Sequence, residues 1–380
     1  MASRPSSPCR GAVARRRRAA TVIVTAALAL VGCAAPGGGT DPGDGAGERT
    51  PLEDVVPAAD PRALEGPATA VLGDRSVVPV ADAARPSLPV TVTSFERGGA
   101  TREVTVDDVS RIVAFDMSGS IAATVWGLGL GDRLVGRDQA AGFAGIEDVA
   151  VVTSGGHAIN AEAVMALRPS VIVTDGSVGP RDVVEQLRSA GVPVVFVERD
   201  ASVAGAAMLA RSVGEALGAP QQGEALAQRI QQEVERVTTT VAERFAPERP
   251  LTMAFLYIRG DAGIYYLFGP GSGADDLITR LGGRDIGTEN GWGEYTPLTD
   301  EALVAADPDV ILVMTHGLES AGGVDGLIDS KPAIAATTAG RQRRIIDMAD
   351  ADVLSFGPRS AQVIDALARA LYAEPDAGDA

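Results

Sequence analysis

From about residue 87 onward, short continuous runs of hydrophobic residues alternate with segments in which hydrophobic residues recur every three or four positions. The continuous runs predict buried strands, and the recurring pattern predicts helices that bury one face. Predicted strands and helices follow one another in the order 111–115, 119–128, 134–136, 161–167, 171–174, 181–190 and 194–197. This alternation predicts an α/β lobe with a largely parallel sheet over residues 87–200.

The same alternation starts again after Pro250, which predicts a second α/β lobe over residues 248–380. Its predicted strands cover 252–258 and 310–314, and its predicted helices cover 273–281 and 362–372. At the start of the first lobe, residues 88–94 and 102–106 alternate apolar and polar positions around two glycines. That pattern is typical of a β-hairpin.

Residues 201–247 predict connecting helices between the lobes. One helix ends at Gly218, and Pro220 stands where a proline favours the first turn of the next. The second helix runs to about Phe245 and, at 1.5 Å per residue, spans about 37 Å. We therefore expect two Rossmann-like α/β lobes joined by one long helix.

The N-terminus has the pattern of a targeting signal. Arg15-Arg16-Arg17-Arg18 precedes an apolar run over residues 19–31, which is short for a membrane span. The run ends in Leu30-Val31-Gly32-Cys33 and resembles a bacterial lipoprotein signal, which predicts a signal peptide over residues 1–32 and lipidation of Cys33. The Gly-, Pro- and Ala-rich stretch that follows predicts a disordered tether over residues 33–86. Within it, the sequence leaves open whether residues 60–87 fold.

Composition excludes several classes of function. The formal charge is −17, so the chain should repel phosphate backbones, and we expect no nucleic-acid partner. Two cysteines and two histidines rule out a disulfide scaffold, a zinc finger and a His-rich metal cage. Gly127-Leu-Gly-Leu-Gly131 closes a predicted helix instead of opening one, so it does not indicate a dinucleotide loop. No catalytic motif is present, although His157 as the base of an extracellular hydrolase remains an alternative.

The aromatic residues indicate a binding site. Four of the five tyrosines (Tyr257, Tyr265, Tyr266 and Tyr295) fall in one window together with Trp292. On a strand, Tyr257 and Arg259 face the same side, and the guanidinium would favour the phenolate form. Phenolate is a hard oxygen ligand for ferric iron and an axial ligand of haem. His157, in a glycine-flanked loop of the first lobe, and His316, after a strand of the second, are the imidazole candidates.

These patterns resemble the substrate-binding lipoproteins of ABC importers for iron chelates and cobalamin, and most of all those of bacterial hemin-uptake transporters. The resemblance covers roughly residues 88–373. Its motifs are Ser110-Arg-Ile-Val-Ala-Phe-Asp116, the segment from Gly127 to Asp138, Gly156-His-Ala-Ile-Asn-Ala-Glu162, Leu256-Tyr-Ile-Arg-Gly260, the segment from Gly317 to Gly326, and Phe356-Gly-Pro-Arg359.

The resemblance implies a class III substrate-binding protein that performs no catalysis and holds hemin as cargo in the cleft between its lobes. It implies His157 and Tyr257 as axial ligands of the haem iron, with Arg259 supporting the phenolate. Glu162 and Glu301 match the surface carboxylates that dock on the permease. Tyr295, Arg137 and Arg359 are further predicted ligand contacts, the two arginines for the propionates.

The expected partners are an ABC permease and its ATPase, the membrane is contacted through the lipid anchor alone, and the chain is expected to be a monomer. The same fold with a ferric siderophore or cobalamin is the nearest alternative. A haem-sensing or haem-storage surface protein is another.

Overall fold

A computed structural model describes residues 49–96, 98–260 and 264–374. Its first segment packs against the rest of the chain. Strand β1 (Ala68–Ala70) pairs in parallel with a strand 278 residues later, Ala68 opposite Ile346, and the side chains of Leu52 and Leu72 are buried. The prediction of a disordered tether is therefore wrong from residue 49 onward, because apolar side chains scattered along this segment pack in the main hydrophobic core. The rest of that tether, Cys33 included, lies outside the described residues.

The first lobe is built on a five-stranded parallel sheet. Its strands are ordered β10-β9-β4-β5-β6, and two separate hairpins, β2–β3 and β7–β8, accompany it. The strands are β2 (Val90–Phe95), β3 (Thr101–Val106), β4 (Ile112–Phe115), β5 (Leu134–Arg137), β6 (Ala150–Val151), β7 (Thr153–Ser154), β8 (Ala158–Ile159), β9 (Val171–Thr174) and β10 (Val194–Phe196). The helices are α1 (Ser120–Val125), α2 (Ala161–Ala166) and α3 (Arg181–Ser189). The predicted hairpin at residues 88–106 is confirmed.

Two helices connect the lobes, α4 (Val203–Ala216) and α5 (Pro220–Arg244). They pack side by side, and a Cβ added to Gly214 would lie 2.7 Å from the Cα of Gly223, so glycine permits this close approach. α5 is the long helix predicted from the sequence, with 25 residues and Pro220 in its first turn.

The second lobe is a seven-stranded mixed sheet, ordered β1-β16-β15-β11-β12-β14, with β13 paired to β11. Its strands are β11 (Thr252–Arg259), β12 (Ile264–Phe268), β13 (Arg284–Asp285), β14 (Tyr295–Pro297), β15 (Val310–Met314) and β16 (Ile345–Met348). Its helices are α6 (Ala274–Arg280), α7 (Ile286–Glu289), α8 (Asp300–Ala306), α9 (Thr315–Ser320), α10 (Gly323–Ser330), α11 (Pro332–Ala336), α12 (Thr338–Arg341), α13 (Asp350–Val353) and α14 (Ser360–Tyr372).

One hydrophobic core runs through both lobes. Ile112 and Ala114 on β4 and Phe255 on β11 belong to it, together with residues of α4, α5 and α14. The alternate residues of β4 and of β11 face the other way, and in each lobe they pack in a smaller core on the opposite face of the sheet. The two sheets are therefore held against the same helices. Among the described residues, no helix has the length and apolar character needed to span a membrane.

Candidate functional site

A cleft of about 850 Å³ lies between the two lobes. The first lobe contributes residues that follow its parallel strands, and the second contributes β11, β12, β14 and α13. Ligands of open α/β sheets bind at the carboxyl ends of the strands, and pockets for small molecules span about 300–1,000 Å³. Both His157 and Tyr257 line this cleft, one from each lobe, as the sequence predicts.

His157 is presented by the tight turn between β7 and β8. Gly156 and His157 both have positive φ, 75° and 60°, a conformation that is unusual for a residue other than glycine. The imidazole Nδ1 lies 2.9 Å from Oδ1 of Asp138, whose side chain is fully buried. The ring is therefore fixed through Nδ1, which leaves Nε2 as the nitrogen that Asp138 does not engage.

Tyr257 and Arg259 lie on one face of β11, two residues apart. Arg259 Nε donates a hydrogen bond of 2.6 Å to the phenolic oxygen of Tyr257, and both residues line the cleft. Because a guanidinium is always charged, this is a charge-assisted hydrogen bond, which holds the phenolic oxygen of Tyr257 in place. The two side chains share one face of the strand, as its period of two predicts, and their role toward a ligand stays a prediction.

An aromatic wall extends the site beyond Tyr257. The ring of Phe268 is stacked on Phe255 and on Tyr257, with centroid distances of 5.6 Å to each, and Tyr295 meets it edge-on at 5.0 Å. Phe268 and Tyr295 line the cleft, and such a wall suits a flat apolar ligand. Sequence analysis missed Phe268, although its place next to the tyrosine cluster was a usable signal.

The remaining aromatic residues of the cluster serve the lobe itself. Tyr265 donates a hydrogen bond to Asp300, Trp292 packs on the smaller core of the second lobe, and neither lines the cleft that the described residues form. Tyr266 does not line this cleft either. Only two of the four clustered tyrosines therefore face the cleft.

Both arginines predicted to hold propionates have structural roles instead. Arg137 donates to the backbone carbonyls of Ala141 at 2.8 Å and Val149 at 3.1 Å. Arg359 is buried and donates at 2.5 Å to Asp352. Neither lines the cleft formed by the described part of the chain, so this prediction is wrong. Each guanidinium has found acceptors within the protein.

Arg199 is the cleft cation that sequence analysis missed. It follows β10, and its guanidinium lies 3.9 Å from Asp175 of the first lobe and 3.8 Å from Glu294 of the second. Its Nη2 donates to the hydroxyl of Tyr295 at 3.3 Å. Burial alone would lower the pKa of Arg199, but Tyr295 and the two acids raise it above its usual value, so the group stays charged. The sequence around Arg199 carries no signal that distinguishes it from other charged residues.

His316 also reaches the cleft, at the N-terminus of α9. Its side chain is 84% exposed, and Nδ1 lies 3.8 Å from Glu319. This loose contact does not orient the ring as Asp138 orients His157. The orientation of the His316 ring is therefore less constrained than that of the His157 ring.

The wall of the first lobe carries a buried carboxyl group, Asp116. Its oxygens accept hydrogen bonds from the Ser118 hydroxyl and from the backbone amides of Ser120 and Ile121. Burial, together with the charge of Asp175, raises the pKa of Asp116 to about 7. Among the described residues, no group of three or more His, Cys, Asp or Glu side chains is placed to hold a metal ion.

Comparison with known proteins fits this geometry. A model of the periplasmic binding protein family matches residues 117–351, which is more than half of the chain. The chain belongs to this family. The family consists of substrate-binding transport proteins, which act with ABC permeases and are not enzymes. The expected fold class is thereby confirmed.

Several solved structures of this family are similar to the chain. The haem-binding protein HmuT is 40% identical, with a TM-score of 0.77 over 83% of this chain and all of that one. The periplasmic haem-binding protein RhuT from Roseiflexus sp. RS-1 is 34% identical, with a TM-score of 0.62 over 70% of this chain and 98% of its own. The predicted resemblance to hemin-binding members of the family is confirmed.

More distant sequence relatives have other names. A cobalamin-binding protein of Halobacterium salinarum is 26% identical over 290 residues, 75% of either chain. YvrC of Bacillus subtilis, an ABC transporter substrate-binding lipoprotein, is 23% identical over 287 residues, covering 75% of this chain and 86% of that one. Membership in this family alone therefore does not choose between haem and cobalamin.

The two carboxylates predicted to dock on a permease occupy similar positions in the two lobes. Glu162 lies in the first turn of α2 and Glu301 in the first turn of α8, and both are exposed. Each helix is followed within two residues by a residue with positive φ, Arg168 or Asp307, and then by a proline and a buried parallel strand. The two lobes thus present one acidic side chain each in the same local structure.

Proposed function

We propose that this protein captures hemin outside the cytoplasmic membrane and passes it to an ABC permease. One observation carries the proposal: an imidazole and a phenol, each held by a charged side chain, face one cleft from opposite lobes. Imidazole and phenolate are both axial ligands of haem iron, and the phenolate suits the ferric state. His157 and Tyr257 thus bind the iron from the two faces of the porphyrin.

The rest of the cleft supports the same cargo. Phe268 and Tyr295 offer aromatic surface to a porphyrin, and Arg199 offers a guanidinium to a propionate. Arg199 replaces the two arginines predicted from the sequence. A propionate would take over the role of Asp175 and Glu294, which stand 3.9 and 3.8 Å away.

The solved forms of HmuT add support by analogy. Besides the native protein, they include variants with alanine in place of a tyrosine, of an arginine two positions later, and of a histidine. Tyr257 and Arg259 have the same spacing. These are the residue types that we assign to the iron site here.

An absorption titration with ferric hemin tests the iron ligands. We expect a saturable, shifted Soret band for the native chain, and a different band with weaker binding for Tyr257→Phe and for His157→Gln. Tyr266→Phe is a matched control, because Tyr266 lies opposite Tyr257 on β12 but outside the cleft. A band that survives both ligand variants refutes the assignment and turns attention to His316. No saturable band refutes hemin as the cargo.

The same titration with cyanocobalamin and with a ferric siderophore tests the alternatives. The relative from Halobacterium salinarum is named for cobalamin, so that ligand is the sharper comparison. We expect no saturable spectral change with either. Saturable binding of cobalamin without binding of hemin would reassign the cargo.

Delivery is the second half of the proposal. Lipidation of Cys33 holds the protein at the outer face of the membrane, and Glu162 and Glu301 dock a monomer on the permease, whose ATPase drives import. Alanine at either glutamate should leave hemin affinity unchanged and reduce hemin uptake by cells. Glu243→Ala, an exposed acid on α5, is the control. Normal uptake by the Glu162→Ala, Glu301→Ala double variant would refute this docking.

A further inference from the structure

We propose that Asp138 is the positioning residue of the site and fixes the His157 ring so that Nε2 is the atom offered to the ligand. The role of Nε2 as an iron ligand rests on the proposed function. The orientation of the ring is a property of the protein alone and is tested separately below.

The geometry around the carboxylate supports this role. Asp138 Oδ1 lies 2.9 Å from His157 Nδ1 and accepts a second hydrogen bond from the Ala140 amide at 2.6 Å. A carboxylate oxygen accepts hydrogen bonds, so in the neutral imidazole this contact places the proton on Nδ1. Nε2 is then the bare nitrogen, with its lone pair available to a metal.

The other oxygen of the carboxylate is also enclosed by the protein. Oδ2 of Asp138 is buried and has no hydrogen-bond partner among the described residues. An unpaired buried oxygen is costly, so the surrounding structure must hold the carboxylate in place. A carboxylate that accepts from one ring nitrogen of a ligating imidazole fixes the tautomer and the direction of the ring.

The loop after β5 supplies that support. Arg137, the last residue of β5, donates to the carbonyls of Ala141 and Val149 and so closes the loop that begins at Asp138. The turn that carries His157 is a different segment with a strained φ of 60°. The Asp138–His157 bond joins the two segments, so the direction of the imidazole depends on the carboxylate.

On both sides of the cleft, a charged side chain is hydrogen-bonded to the proposed iron ligand. Arg259 donates to the phenolic oxygen of Tyr257, and Asp138 accepts from Nδ1 of His157. In each case a charged neighbour fixes the direction of the side chain that we propose as an iron ligand. Neither neighbour needs to touch the iron.

Asp138→Asn is the test, because it removes the charge and keeps the shape. The control is Asp285→Asn: Asp285 is also buried, and one of its oxygens has no partner in the described part of the chain, but it caps α7 away from the cleft. Nitrogen-15 NMR of the ligand-free protein reads the tautomer directly, and His316→Gln assigns the signals, since the chain has two histidines. We expect a single Nδ1–H tautomer for His157 in the native chain and in the control. We expect a mixture in Asp138→Asn, because an amide both donates and accepts.

Hemin titration gives the second readout. Asp138→Asn should weaken binding about 10- to 100-fold and change the Soret band, and should have no effect in a His157→Gln background. An Nε2–H tautomer in the native chain overturns the proposal, whatever the variant does. So does a variant that keeps both the native tautomer and the native affinity. If the native chain binds no hemin, the proposed cargo fails, while the NMR result still decides whether Asp138 positions the ring.

Discussion

Replacing Arg359 with methionine distinguishes a structural arginine from a ligand-binding one. The guanidinium is 3% exposed, donates at 2.5 Å to Asp352 and lies 5.9 Å from the ring of Phe143. The Asp352 side chain is 5% exposed. Methionine removes the cation and leaves this carboxylate buried, because the side chain of Arg359 is the closest cation to it.

The size of the effect follows from the burial of the pair. Breaking a buried ion pair by removing one partner costs about 3–5 kcal/mol. Arg75 remains 3.8 Å from Asp352, so we expect the lower end, a loss of about 3 kcal/mol in the free energy of unfolding. Replacing both partners, Asp352→Leu with Arg359→Met, removes both buried charges of this pair. The double variant should come within about 1 kcal/mol of the native chain.

Urea unfolding followed by circular dichroism measures these free energies, and a hemin titration under folding conditions measures the cargo site. We expect Arg359→Met to lose stability while it keeps the native hemin affinity. The reasoning is refuted if the single variant is as stable as the native chain. It is refuted equally if hemin affinity falls tenfold in both the single and the double variant, since Arg359 would then serve the ligand.

Three further predictions concern the fold. Gly129 has a φ of 80°, and the Cβ of Gly129→Ala would lie 2.2 Å from a backbone oxygen, so this variant should lose about 3 kcal/mol in the free energy of unfolding measured with urea. Gly155→Ala is the control and should be neutral, because no described atom lies within 4 Å of the added Cβ. Equal effects of the two variants would contradict this prediction. Because burial and Asp175 raise the pKa of Asp116 to about 7, the folded state binds a proton that the unfolded chain has released, and stability falls as pH rises from about 4 to about 7. Asparagine does not titrate, so Asp116→Asn does not lose stability in this way. The free energy of unfolding of the variant minus that of the native chain should therefore rise by a few kcal/mol between pH 4 and pH 8. A difference that does not change with pH would refute the raised pKa of Asp116. Tyr372→Phe removes a buried 2.6 Å hydrogen bond to a backbone carbonyl and should cost about 1–2 kcal/mol by the same measurement, and an unchanged value would show that the bond contributes nothing net.

Local features of the site could be predicted from the sequence. Tyr257 and Arg259 share a face because side chains on a strand alternate with a period of two, wherever the strand lies in the fold. The turn carrying His157 follows from its flanking glycines. The connecting helix α5 follows from apolar spacing and from a proline at its start.

Partners of charged side chains could not be predicted in this way. Arg137 and Arg359 have long side chains whose acceptors are backbone carbonyls and a carboxylate brought near by folding. Arg199 lies in an unremarkable charged stretch of sequence, and only the approach of the second lobe places Tyr295 and Glu294 beside it. A guanidinium takes whichever acceptors the tertiary structure provides.

By itself the sequence determined the alternating strands and helices, the two lobes and the residue types of the two proposed iron ligands, because these depend on periodicity and residue type over a few positions. The tertiary structure decided which side chains meet. It paired β1 with β16 across 278 residues and set Asp138 against His157 across 19. Such contacts depend on how distant segments pack, and that packing is settled by the whole core and not by any single stretch of chain.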